Sequence, residues 1–132
     1  MRFSLLVVLL TLLSILSCAS EKISHEEWLA QLPQPWTLTE EQMDLELPKF
    51  HARFPDFHQR LKHLALWRVG TPYEIFKLGE EIEPDPDPII RFDVSDCTGH
   101  NLTTLAAARS TSFSAAKKEM IDIHYKQQAK DG

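Results

Sequence analysis

The chain has 132 residues, 43% of them hydrophobic and 25% charged, the make-up of one ordinary globular domain and not of a disordered or fibrous chain. Nineteen acidic residues against fourteen basic give a net charge of −5, and no basic block is longer than Lys117-Lys118. A surface that tracks phosphates needs clustered Lys and Arg, so nucleic acid is disfavoured as a partner, and two cysteines without an internal repeat offer no disulfide framework.

Met1-Arg2 is a short basic start to the apolar run 3–16. The run falls short of the roughly 20 residues of a membrane-spanning helix and has the shape of a signal peptide. Ile15-Leu16-Ser17-Cys18 resembles a bacterial lipobox, in which cleavage before Cys18 exposes that cysteine for lipid attachment. Leu16 is not the commonest residue at its place, and ordinary cleavage near Ala19 or Ser20 is the alternative. With a lipobox, Ala19 suggests sorting to the outer membrane of a Gram-negative cell. Residues 1–20 are therefore expected to be an export signal, with the product in the periplasm or anchored to the outer membrane through lipidated Cys18. Lipidation or loss of Cys18 leaves Cys97 as a lone thiol in an oxidising compartment, a liability unless it is buried or used.

Residues 21–54 are expected to be helical. Ser24-His25-Glu26-Glu27 is a capping box, hydroxyl and carboxylate each covering a free amide. The helix it starts carries Trp28, Leu29 and Leu32 and must stop by Pro33. Thr39-Glu40-Glu41-Gln42 repeats the capping pattern and starts a second helix expected to end before Pro48. A third helix is expected over 55–67, opening with Pro55 in its first turn. Its Phe57, Leu61 and Leu64, at i, i+4 and i+7, form one apolar stripe. His51, His58 and His63 lie in this region; five residues separate the last two where a zinc helix uses four, so they read as surface histidines and no metal site is expected.

Gly70-Thr71-Pro72-Tyr73 terminates the third helix, glycine ending it and proline blocking re-entry. Tyr73 brings a phenol to a rigid turn, its bland reading a half-buried ring with the hydroxyl at the surface. The ladder Glu83-Pro84-Asp85-Pro86-Asp87-Pro88 lacks the amide donors of a helix or a central strand and reads as a solvated loop. Ile90, Phe92 and Val94 alternate with Arg91 and Asp93, which predicts a short strand with one buried face. Asp96-Cys97-Thr98 then opens a helix. A cysteine at a helix mouth sits at the positive end of the macrodipole, where the thiolate is favoured. Two readings stand for Cys97: a nucleophile, or a small buried packing residue.

Taken in order, Gly70-Thr71-Pro72-Tyr73, the Leu78-Gly79 turn, the Pro/Asp loop, Arg91-Phe92-Asp93, Asp96-Cys97-Thr98, an Ala/Leu helix and a helix around Tyr125 resemble the N-terminal half of the bacterial N-acetylmuramoyl-L-alanine amidase-like family. The resemblance spans roughly residues 61–125, and the two short motifs in order at this spacing carry it. It implies an NlpC-type, papain-like cysteine hydrolase fold: α+β, here mainly helical with the antiparallel sheet largely missing, over residues 55–132. By the resemblance, Cys97 is the nucleophile, Tyr73 lines the site near the developing oxyanion, and the substrates are peptidoglycan stem peptides, with no cofactor. The family's histidine base comes from a strand downstream of the Tyr125 helix, which this chain does not include, so a truncated domain of little or no activity is expected. His100 stands where the family has an apolar aromatic, and His124 where it more often has arginine; neither is expected to act as base.

Leu102, Leu105 and Ala106 are expected to form the buried face of the cysteine helix, and Arg109-Ser110-Thr111-Ser112 to end it. A last helix over 113–128 would bury Phe113, Ala116, Met120 and Ile123. The competing function is a small helical envelope lipoprotein that binds a partner or peptidoglycan without chemistry and keeps the Cys97 region as scaffold.

Overall fold

The computed structural model describes residues 23–124. Residues 1–20, where an export signal is expected, with Cys18, and Tyr125 lie outside the described residues. Two compact units separate at Ala30. In the first, helix α1 (His25–Ala30) is started by the expected box: the Glu27 amide donates to Ser24 Oγ and the Ser24 amide to Glu27 Oε2.

The second unit holds a 3-10 turn (Pro35–Thr37) and four helices, α2 (Glu40–Arg53), α3 (Phe57–Trp67), α4 (Cys97–Arg109) and α5 (Phe113–His124). It is mainly helical, and the described residues contain no β-strand. Helix α4 packs on both α3 and α5, and α2 closes against α3 and α5. The core is Met43, Leu47 and Phe50 of α2, Leu64 and Trp67 of α3, Ile90 and Phe92 of the connecting segment, and Ala116 and Met120 of α5. Phe50 and Trp67 meet at 5.0 Å between ring centroids, and the Trp67 indole donates to the Pro33 carbonyl at 2.8 Å, so the buried polar edge is satisfied.

Five local expectations are corrected. Helix α2 does not end before Pro48 but runs through it to Arg53. Pro48 lies on the exposed face, so the carbonyl one turn back can turn to water, while Leu47 and Phe50 on the opposite face hold the helix in the core. Helix α3 starts after Pro55 rather than at it, with Asp56 as N-cap accepting from the Gln59 amide.

The strand predicted around Ile90 to Val94 is absent. Ile90 and Phe92 are buried and Asp93 is exposed, so the alternation is real. No neighbouring strand offers a ladder, however. The polar positions pair with each other instead, Arg91 gripping Asp93 through two hydrogen bonds of 2.9 and 2.7 Å. One parallel bridge remains, between Tyr73 and Ser95.

The face that α4 buries is made of Gly99, Thr103, Thr104, Ala106, Ala107 and Ala108, while Leu102 and Leu105 are only half-buried. Small residues let α3 and α5 approach the α4 backbone closely, so Arg60 of α3 donates to the Ala108 carbonyl at 2.7 Å. Helix α5 is capped from a distance, its Phe113 amide donating to Asp44 of α2 at 2.5 Å.

His63 is not on the surface. It is buried, stacks on Phe54 at 4.0 Å between centroids, and engages the Gln59 carbonyl through Nδ1 at 2.6 Å. His51 is half-buried with Nε2 at 2.9 Å from the Ser110 carbonyl, and His58 alone of the three is exposed.

The proline ladder is a solvated loop, with residues 83–86 exposed, and it folds back on the segment around Gly79. The amides of Gly79, Glu80 and Glu81 donate to the carbonyls of Pro88, Asp85 and Asp87. Gly79 is buried there because a Cβ would lie 2.5 Å from Asp85 Oδ1 and 2.7 Å from the Asp87 carbonyl.

Candidate active site around Cys97

The helix that carries Cys97 is started by Asp96. Its backbone is extended (φ −103°, ψ −173°) and its carboxylate accepts from the Gly99 amide at 2.7 Å and from the Phe76 amide at 3.3 Å. The Gly99 amide does most to hold the Asp96 carboxyl below its ordinary range. Cys97 is therefore the first residue of α4, and its side chain is exposed. That exposure removes the reading of Cys97 as a buried packing residue. Its own amide makes no hydrogen bond to the described residues, so a donor stands open next to the sulfur.

Tyr73 arrives by a different route. The Ser95 amide donates to the Pro72 carbonyl at 2.9 Å, and the Glu74 amide to the Ser95 carbonyl at 3.3 Å. These two bonds pin the Gly70-to-Tyr73 turn against the mouth of α4. Gly70 holds φ at +99°, and a Cβ there would come within 3.1 Å of the Trp36 ring, so the turn needs glycine twice over. Tyr73 and Cys97 line the same cleft, of about 290 Å³, together with Arg68, Asp96 and His100. Tyr73 is 72% exposed, well beyond the half-buried placement its sequence context suggested.

His100 shares this cleft and is half-buried. Burial, and then the Arg68 charge, pull its imidazole below the usual 6.5, so the ring is neutral at physiological pH. Its ring makes no hydrogen bond to Cys97 or to an orienting carboxylate among the described residues; its carbonyl is the group in use, accepting from Arg68 and Thr104. His124 lies on the far side of Asp96, in a separate cleft of about 240 Å³ with Phe76 and Thr98.

Two residues of this region carry no sequence signal of their own. Arg68, 1% exposed behind the cleft, reads in the sequence only as the cation after a helix end. Phe76 adopts φ +55° and is 85% exposed; an aromatic in the left-handed region is uncommon, and the Asp96 carboxylate holds its amide there.

Chemically, the arrangement presents a sulfur at the positive end of a 13-residue helix with an open amide beside it. Such a pair suits attack on a carbonyl carbon and reception of the negative charge that develops on its oxygen. A base and its orienter are the parts such chemistry also needs, and no described side chain fills either place. Among the described residues no group of three metal-ligating side chains forms, and no helix is long and apolar enough to cross a membrane. Compared with family models, with curated proteins and with solved structures, the chain matches none.

Proposed function

We propose that the chain is an exported cell-envelope relative of the papain-like, NlpC-type cysteine amidases that act on amide bonds of peptidoglycan stem peptides. Cys97 is the nucleophile and Tyr73 stands on the oxyanion side. The observation that carries this reading is the exposed Cys97 at the first position of α4, beside an open amide and in one cleft with Tyr73. In the reaction the sulfur bonds to the amide carbon and the C–N bond breaks as the leaving amine takes a proton. Water then cleaves the thioester, giving a carboxylic acid and the free thiol. Proton transfer from sulfur and to the amine needs a base, and His100, neutral in the cleft and making no hydrogen bond to Cys97, does not serve as one. Turnover by this chain is therefore slow or nil, far below the roughly 1–1,000 per second of ordinary enzymes.

The test uses the purified chain with Cys18→Ser, so that one thiol remains. Incubation with a muropeptide carrying a chloroacetamide at the scissile position should label Cys97 faster than the same reagent without the peptide. Equal labelling rates, or muropeptide hydrolysis that survives Cys97→Ala, would sink the nucleophile reading. A second reading, an envelope lipoprotein that binds peptidoglycan or a partner without chemistry, is favoured by the lack of any base hydrogen-bonded to Cys97 among the described residues. Under that reading muropeptides bind equally well to the Cys97→Ala protein and leave no acyl group on the parent.

A further inference from the structure

Arg68 sits at the end of α3 with 1% of its surface exposed, and no carboxylate among the described residues pairs with it. Buried arginines are ordinarily paired, because an uncompensated charge out of water is costly. What Arg68 has instead is neutral. Nη1 donates to the His100 carbonyl at 2.8 Å and to Thr104 Oγ1 at 2.9 Å, and Nη2 reaches Ser95 Oγ at 3.5 Å. The guanidinium lies 5.1 Å from the centre of the Phe92 ring, and Nε has no partner.

These contacts bracket Cys97. Ser95 precedes the cap of α4, and His100 and Thr104 are in its first two turns, so one planar fork ties the entry of the helix to its beginning. The charge therefore lies in the buried wall of the cleft, held on the Ser95 hydroxyl and the His100 carbonyl that flank Cys97 in the chain. It adds to the positive end of the helix dipole instead of cancelling against a neighbour. The acidic group at the rim is Asp96, ionised at neutral pH and accepting from the amides of Gly99 and Phe76; its charge opposes that of Arg68 but stands toward solvent, where it is screened more than a charge held in the interior. Of the other groups lining the cleft, His100 is held below the usual 6.5 by burial and by the Arg68 charge and so adds no charge at neutral pH.

We propose that Arg68 is a positioning residue that locks the first turns of α4 and makes the Cys97 cleft electrostatically positive, so that the site takes ligands bearing a carboxylate close to the atom presented to sulfur. In stem-peptide terms this selects acidic residues flanking the amide. That link to substrate rests on Cys97 being the nucleophile; the potential of the cleft does not.

Two alkylating reagents of nearly equal shape read that potential directly. Iodoacetamide is neutral and iodoacetate is an anion. Their rates with Cys97 are measured in the Cys18→Ser chain at about pH 8 and low salt, by mass spectrometry of the Cys97 peptide. The iodoacetate-to-iodoacetamide ratio in the folded chain should exceed that of the same chain in concentrated urea by about fivefold. Arg68→Met should bring the ratio down to the unfolded value, and Arg68→Lys should retain most of it. A purely structural role would change both rates together and leave the ratio alone.

The proposal is overturned if the folded ratio is no higher than the unfolded one. It is also overturned if Arg68→Met, with native circular dichroism and a cooperative melt, keeps the parent ratio. Should Arg68→Met fail to fold, the comparison of folded and unfolded parent decides by itself. A raised ratio in a protein whose Cys97 is never acylated by muropeptides would leave this electrostatic assignment standing and remove only the amidase reading.

Discussion

Asp96 does two jobs, and removing it should cost both. Its carboxylate caps α4 through the Gly99 amide at 2.7 Å and holds the Phe76 amide at 3.3 Å. Loss of an N-cap costs about 1 kcal/mol. The longer, exposed bond to Phe76 adds about 0.5 kcal/mol. For a domain of this size each kcal/mol moves the melting temperature by about 4–8 °C, so Asp96→Ala should lower it by about 6–12 °C. Asp96→Asn keeps an acceptor at the cap and should fall between the two. The pH dependence follows from the depressed carboxyl. Because the folded value lies below the ordinary 3.8, the stabilisation is fully present above that pH and is lost as pH falls through the folded value. The gap between parent and Asp96→Ala should therefore hold constant from neutral pH down to about 4 and close below it. Thermal melts followed by far-ultraviolet circular dichroism across that range test both statements. An Asp96→Ala protein that melts within about 2 °C of the parent at neutral pH, or a gap that widens in acid, would refute the double role.

Two further outcomes follow from the packing and the histidines. Gly79→Ala places a methyl within 2.8 Å of backbone and side-chain atoms of Asp85 and Asp87, so the fold-back loop must open. The expected cost is about 1–3 kcal/mol by urea unfolding, and hydrogen exchange should quicken at Glu80 and Glu81, whose amides close that loop. His51 and His100 are both held below 6.5, mainly by burial, so the unfolded chain binds more protons than the folded one just below that pH. Stability should therefore rise with pH through that window, and nuclear magnetic resonance titration should find both imidazoles with midpoints under 6.5; a midpoint above it for either ring would contradict its burial.

Much of the local structure is legible from short-range chemistry. The boxes at Ser24 and Thr39 start helices because a hydroxyl and a carboxylate or amide three residues on satisfy the same free amides in any context. Gly70 ends α3 region chemistry in the same way, by a backbone angle few other residues take. Cys97 at a helix mouth is likewise readable, since Asp96 supplies the cap within one turn. The failures share a cause. Pro48 is tolerated, His63 is buried and the segment from Ile90 to Val94 finds no ladder, each because of how the elements pack and not of a local preference. Local preference is a fraction of a kcal/mol to a few kcal/mol, and core packing outweighs it.

What the sequence by itself determined is the helix starts at the Ser24 and Thr39 capping boxes and a cysteine delivered to the head of a helix. Tertiary structure alone decided that this cysteine is exposed, that the turn carrying Tyr73 is held beside it by two backbone hydrogen bonds of Ser95, one donated to Pro72 and one accepted from Glu74, and that Arg68 lies buried next to them with no carboxylate partner among the described residues. A charge 29 residues before the cysteine leaves no periodicity or spacing to read, because its meaning comes only from the buried carbonyl and hydroxyls it meets when α3 packs on α4.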